Sequence, residues 1–273
     1  MAELDALRRK KLFLFDLDGT LYLGDTLFSG VPELLALIRA RGGQYRYLTN
    51  NSSRSVDAYV ERLTRLGVAA EPEDFLTSVD ALIAHLRGRG MEARRFYVCG
   101  TESMKSQLRA AGFAVASSRE DADALLMGFD TELTFQKLED ACILLNRGVD
   151  FAATNPDWVC PTWYGSVPDC GSVCEMLFRA TGRRPHVLGK PQADMPLLAL
   201  EQTGFLPEQA VLLGDRLYTD IQSGVNAGID TALMLSGEAT LQDAEQSPVK
   251  PTWIFRDIRA FLTALQQEAQ AKG

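Results

Sequence analysis

An α/β architecture is the fold this sequence predicts: a doubly wound, parallel-sheet core with a second, smaller α/β domain inserted into it. Three observations carry that prediction. Short apolar runs alternate with amphipathic helical stretches along most of the chain, as in successive βαβ units. Polar clusters follow several of those runs directly, and ligands of open α/β sheets bind at the carboxyl ends of the strands. Finally, 140 residues separate Thr49 from Lys190, far more than the roughly 30 residues of one βαβ crossover.

Residues 12–15 (LFLF) are continuously apolar, as a central strand buried on both faces should be. Residues 31–41 read as a helix, with Pro32 in its first turn and Gly42-Gly43 beyond its end. A strand at 45–48 and a helix at 56–66, closed by Gly67, come next. Further strands are predicted at 95–99, 124–127, 151–153, 186–188 and 210–213. Helices are predicted at 102–111, 135–146, 173–180 and 195–202. No repeat or Pro/Ser-rich linker marks a boundary, so spacing must. Between Asp18 and Thr49 lie 30 residues, and between Lys190 and Asp215 lie 24; each interval has room for one helix. The excess therefore falls in the middle, which predicts a core from 1–80 and 183–273 and an inserted domain over 81–182.

Composition removes several function classes. Of 273 residues, 46% are hydrophobic and 23% charged, an ordinary globular balance. A net charge of −8 disfavours non-specific binding to nucleic acid or anionic membrane, both of which need a basic surface. The longest apolar run is five residues, against the roughly 20 that cross a bilayer. The first ten residues lack the apolar stretch of a secretory signal. Cys99, Cys142, Cys160, Cys170 and Cys174 form no C-x-x-C pair, and the two histidines, His85 and His186, lie away from acidic neighbours in sequence. Reduced thiols packed as small hydrophobes, structural histidines and a cytoplasmic location are the expectation, with no zinc cage.

The chemistry sits at the strand ends. Asp16-Leu17-Asp18-Gly19-Thr20 follows the 12–15 strand, so that strand alternation would bring Asp16 and Asp18 together at its carboxyl end. Paired carboxylates repel, and a hard cation such as Mg²⁺ relieves the repulsion; a plain Asp-Gly turn is the alternative. Thr49-Asn50-Asn51 offers a hydroxyl, amides and main-chain N–H groups near a helix start, suited to a phosphate oxygen or simply to capping. Lys190, in Gly189-Lys190-Pro191, is an ammonium at a strand end, or a solvated surface lysine. Asp215 and Asp220, in the stretch from Gly214, add two carboxylates, or a loop and a cap. Taken together, the four clusters read as a cation-and-phosphate site.

With these residues in view, the chain resembles the haloacid dehalogenase superfamily of phosphohydrolases. Asp16 to Thr20 is similar to its first motif, Thr49 to its second, Lys190 to its third, and Gly214-Asp215 through Asp220 to its fourth. The four occur in the family's order and span nearly the whole chain. The surroundings of Thr49, 186–191 and 214–228 resemble the NagD and p-nitrophenylphosphatase branch, whose Rossmann-like core carries a large α/β (C2-type) cap. The resemblance implies that Asp16 is the nucleophile and forms a phospho-aspartyl intermediate. It implies that Asp18 protonates the leaving alcohol and then activates water. Thr49 and Asn50 would bind the phosphoryl group, with Lys190 neutralising it and Asp16. Mg²⁺ would be held by Asp16, the main-chain carbonyl of Asp18 and Asp215, with Asp220 in support. Phosphoryl transfer asks mainly for positioning and charge neutralisation, and this set supplies both.

The implied activity is therefore a Mg²⁺-dependent phosphatase of small phosphate monoesters. A phosphotransferase sharing the same intermediate, and a phosphometabolite sensor that binds without turnover, are the rival readings. Within the cap, Asn155 to Tyr164 form an irregular, aromatic-rich stretch after the 151–153 strand. Trp158, Trp163 or Tyr164 would face the leaving group; alternatively, the rings cover the cap's own core or a subunit interface. A homodimer through the cap is compatible with the sequence.

Overall fold

The structure is a computed structural model that describes residues 2–267. By the density of internal contacts the chain divides into two compact units. One holds the chain up to Leu48, Val60–Leu76 and the chain from Pro191 onward; the other holds Thr49–Tyr59 and Thr77–Lys190.

The first unit is built on a six-stranded sheet. Its spatial order is Trp253–Phe255, Asp230–Met234, Ala210–Gly214, Leu12–Phe15, Gln44–Thr49, Phe75–Thr77. Leu12–Phe15 pairs in parallel with both Ala210–Gly214 and Gln44–Thr49, and its four residues are all buried. The unbroken apolar run is explained by that double burial. From Leu12–Phe15 the chain winds outward one way through Gln44–Thr49 to Phe75–Thr77. After a long excursion it resumes on the other side and winds outward again through Asp230–Met234 to Trp253–Phe255. The reversal falls between Leu12–Phe15 and Ala210–Gly214, which makes their carboxyl ends the switch point where open α/β sheets bind ligands.

The second unit has its own parallel sheet, ordered His186–Val187, Asp150–Ala153, Ala124–Met127, Arg95–Cys99, Ala114–Val115. The helices Phe135–Asn146 and Cys170–Thr181 pack their apolar stripes on it, burying Leu125, Met127, Leu144, Leu145 and Leu177 in one cluster. Among the described residues no helix is long and apolar enough to cross a membrane. The five cysteines are thiols outside any disulfide, and burial pushes the Cys99 thiol up to about 12, so it packs as a protonated small hydrophobe. His85 and His186 stack face to face, ring centroids 4.5 Å apart.

The reading of the sequence leaves out the core strands Phe75–Thr77, Asp230–Met234 and Trp253–Phe255 and the helices Ser78–Gly88, Leu241–Gln246 and Ile258–Gln266, and two further features depart from it. The stretch expected to be irregular contains an antiparallel hairpin, Val159–Thr162 against Gly165–Pro168. Its strands mix Val with Cys, Pro, Thr, Gly and Ser, so no apolar alternation betrays it. The second departure is a single π-turn, Leu217–Ile221, inserted before the helix Gln222–Asn226. Turns of this type arise often at functional sites, and their wider coil re-aims a side chain.

Candidate active site

In the first unit, three carboxylates converge on the switch point. The pairing of Phe15 with Leu213 puts the next residues, Asp16 and Gly214, side by side at the carboxyl ends of adjacent strands. Asp215 follows, and the π-turn carries Asp220 back, so that its Oδ2 accepts from the Arg216 main-chain N–H at 3.1 Å. One oxygen each of Asp16, Asp215 and Asp220 lies within 4.8 Å of the others. Asp215 and Asp220 are buried, at 3% and 1% exposure. The Glu238 N–H donates to Asp215 Oδ2 at 2.8 Å. Gly19 has φ +81°, and a Cβ there would lie 2.3 Å from the same oxygen; only glycine gives that turn both its conformation and its clearance.

Grouped, buried carboxylates are unstable without compensating positive charge. Arg216 supplies part of it. Burial opposes its charged form, yet Asp215, Glu238, Tyr218 and Asp16 hold the guanidinium well above its ordinary value. It also pairs with Glu238 at 2.9 Å. Oxygen-only donors in this span fit a hard divalent cation, which bonds carboxylate oxygens at about 2.0–2.6 Å.

Asp18 does not join that group. The strand ends at Phe15, so the alternation expected to align Asp16 with Asp18 does not extend that far. The Asp18 side chain is 63% exposed, with Oδ1 3.8 Å from the Arg62 guanidinium. The Tyr22 hydroxyl donates to its Oδ2 at 3.4 Å. Arg62 stacks on the Tyr22 ring at 4.5 Å and donates to the Gly24 carbonyl at 2.9 Å. It thereby ties Asp18 to the turn between Tyr22–Leu23 and Thr26–Leu27. Sequence reading passed over Arg62. The available signal was its place on the apolar stripe of its helix, one turn from Tyr59 and beside Leu63, both buried.

The second unit holds the hydroxyl, amide and ammonium groups. Thr49, Asn50 and Lys190 are each at most 8% exposed, so Lys190 is not a solvated surface lysine. Thr49 Oγ1 accepts from the Asn51 N–H at 3.2 Å, and Asn51 Oδ1 accepts from the Ser53 N–H at 2.9 Å. Asn50 brackets Lys190. Its Oδ1 accepts from the Lys190 N–H at 2.8 Å, and its Nδ2 donates to the Lys190 carbonyl at 2.9 Å and to Asp157 Oδ2 at 3.0 Å. The aromatic residues point outward: Trp158, Trp163 and Tyr164 are 60%, 94% and 64% exposed. They do not cover the core of their unit, and Trp163 and Tyr164 meet edge to face at the hairpin tip.

Comparison with known proteins turns these clusters into a family. A haloacid dehalogenase-like hydrolase model matches residues 13–114, and a related HAD-hydrolase-like model matches 187–261. The acid sugar phosphatase of Staphylococcus aureus is 30% identical over 261 residues, covering 96% of this chain and 100% of that protein. This chain belongs to the haloacid dehalogenase-like hydrolases. Among solved structures, a 4-nitrophenylphosphatase from Thermotoga maritima is 36% identical with a TM-score of 0.91, over 96% of this chain and 99% of that one. A glycerol phosphate phosphatase from Mycobacterium tuberculosis, in complex with magnesium, is 31% identical with a TM-score of 0.88, over 96% of this chain and 78% of that one. The chain is a phosphatase of the NagD and nitrophenylphosphatase branch, with that branch's α/β core and cap.

Proposed function

We propose that this haloacid dehalogenase-like phosphatase hydrolyses small phosphate monoesters with Mg²⁺, through a phospho-aspartyl intermediate on Asp16. The observation that carries the reading is the division of labour among the acidic groups. Asp16 shares an oxygen cluster with Asp215 and Asp220, while the Asp18 carboxylate is engaged elsewhere, by Arg62 and Tyr22. A nucleophile beside a cation and a separate acid/base group are what two-step phosphoryl transfer requires.

The Asp16 carboxylate attacks phosphorus as the ester oxygen departs, and Asp18 gives that oxygen its proton. Asp18 then takes a proton from the water that cleaves the acyl phosphate, releasing phosphate and restoring Asp16. Asp16, the Asp18 main-chain carbonyl and Asp215 would hold Mg²⁺, with Asp220 supporting; the bound ion supplies charge neutralisation at the phosphoryl oxygens. Thr49 offers its hydroxyl to the phosphoryl group and Lys190 its ammonium. Asn50 contributes through its main chain, because its side-chain amide is engaged with Lys190 and Asp157. We assign leaving-group selection to the exposed tip carrying Trp163 and Tyr164, with Trp158 at its base. We place the protein in the cytoplasm, where its five thiols stay reduced.

The deciding experiment is p-nitrophenyl phosphate hydrolysis with Mg²⁺, with EDTA, and by Asp16→Asn in Mg²⁺. Turnover is expected to vanish in both controls; turnover by Asp16→Asn overturns the nucleophile assignment. The substrates named in its relatives, sugar and glycerol phosphates, head the panel that follows.

A further inference from the structure

We propose that Asp157 is a positioning residue for Lys190, acting through Asn50. The inference rests on the reading of Lys190 as the cation that meets the phosphoryl group. Asn50 touches both main-chain groups of Lys190, its Oδ1 accepting from the N–H and its Nδ2 donating to the carbonyl. An amide can make both bonds in one orientation only; flipped, it would set donor against donor and acceptor against acceptor. Asp157 selects that orientation. A carboxylate is acceptor-only, so its Oδ2, 3.0 Å from Asn50, must face the NH₂ end.

Asp157 is itself held. Asn155 Nδ2 donates to the same Oδ2 at 3.1 Å and to Asp169 Oδ1 at 3.3 Å, and Asp169 caps the helix Cys170–Thr181. The backbone before Lys190 is equally confined. A Cβ on Gly189 would stand 2.4 Å from the Thr154 carbonyl and 2.7 Å from Asn50 Oδ1, so only glycine lets the loop come this close. The segment Thr154 to Asp157 therefore locks the main chain from which the Lys190 stem extends. A flexible four-carbon side chain delivers its charge accurately only from a fixed base, and small misplacements of reacting groups are costly. The aromatic stretch thus divides into two functions, a clamp at Asn155 to Asp157 and an exposed tip at Trp163-Tyr164.

A double-mutant cycle on p-nitrophenyl phosphate tests this, with inorganic phosphate inhibition as the binding readout and melting curves as the folding control. Asp157→Ala is expected to lower kcat/KM on the order of 10- to 100-fold and to weaken phosphate inhibition. Asp157→Asn, which keeps an acceptor oxygen, recovers most of that loss. The double variant Asp157→Ala/Asn50→Ala is no worse than Asn50→Ala, because the two lie on one route to Lys190. If Asp157→Ala does not fold, Asp157→Ser, too short to reach Asn50, replaces it in the cycle. Additive losses overturn the proposal, as does near-parental activity and inhibition in the Asp157 variants while Lys190→Ala is impaired. Full activity in Lys190→Ala overturns instead the assignment on which the proposal stands.

Discussion

The acidic cluster and the lysine cradle are positioned by different physics. Asp16 and Asp215 stand at or just beyond the ends of adjacent strands whose register is set by main-chain hydrogen bonds and by side chains buried on both faces. Slipping that register by one residue would send Phe13 and Phe15 to the face packed around Leu12 and Leu14, so the cluster's geometry is backed by the core of its unit. Lys190 and Asn50 are 140 positions apart and meet through two hydrogen bonds of one side-chain amide, which spends a third on Asp157. Such a network has few redundant members, and each missing partner leaves a buried polar group unsatisfied. Register therefore protects the acidic cluster against single substitutions at neighbouring positions, whereas the cradle depends on individual side chains.

The largest expected effect separates the two regions by metal response. Asp215→Asn should raise the Mg²⁺ concentration for half-maximal activity by at least on the order of 100-fold. Asn50→Ala should leave that concentration unchanged and weaken phosphate inhibition instead. Equal Mg²⁺ shifts in both variants would erase the distinction. Next comes Arg62→Ala, which frees the Asp18 side chain from its guanidinium partner. Turnover of alkyl phosphates should fall on the order of 10-fold, with a smaller loss for p-nitrophenyl phosphate, whose leaving group needs no acid. Equal losses on both would break the link between Arg62 and Asp18.

A few-fold change in the ranking of sugar, glycerol and nitrophenyl phosphates is expected for Trp163→Ala. The melting temperature should be unaltered, since the ring is 94% exposed. An unchanged ranking removes Trp163 from substrate selection and favours the subunit-interface reading, which sedimentation would then test. The smallest effect on activity belongs to Asp140. Burial opposes its charge, but bonds from Tyr97, Arg119 and Gln136 outweigh that and hold its carboxyl below the usual range. A depressed folded-state pKa contributes stability above about pH 4, where the unfolded group ionises, and loses it as pH falls through the folded value. Asp140→Asn should therefore reduce stability at neutral pH by about 1–3 kcal/mol and flatten the decline below pH 4. An unchanged acid limb in melting curves would contradict this.

Legibility followed the range of the interactions involved. The run at 12–15 and the helix at 135–146 were readable to the residue because apolar periodicity and capping are local. The hairpin Val159–Thr162/Gly165–Pro168 was not, because its pairing draws on no apolar face of its own. The stretch from Gly214 displayed its aspartates, but nothing in it announced the π-turn that brings Asp220 onto Asp215. Arg62 and Asp157 escaped for a common reason: each acts on a residue far away in sequence, 44 positions for Arg62 and Asp18, 107 for Asp157 and Asn50.

By itself, then, the sequence determined the class of fold, the order of the strand-end motifs and the chemistry those motifs offer. All three are written in side-chain type and short-range spacing, which elementary sterics and solvation convert directly into strands, helices and turns. Tertiary structure alone decided which carboxylates share a cation-sized space, which one stands apart on Arg62 and Tyr22, and what holds the main chain of Lys190. Those outcomes depend on strand register, on the wider coil of a π-turn and on the orientation of one amide. Each of them is fixed only when distant segments of the chain bury their polar groups against one another.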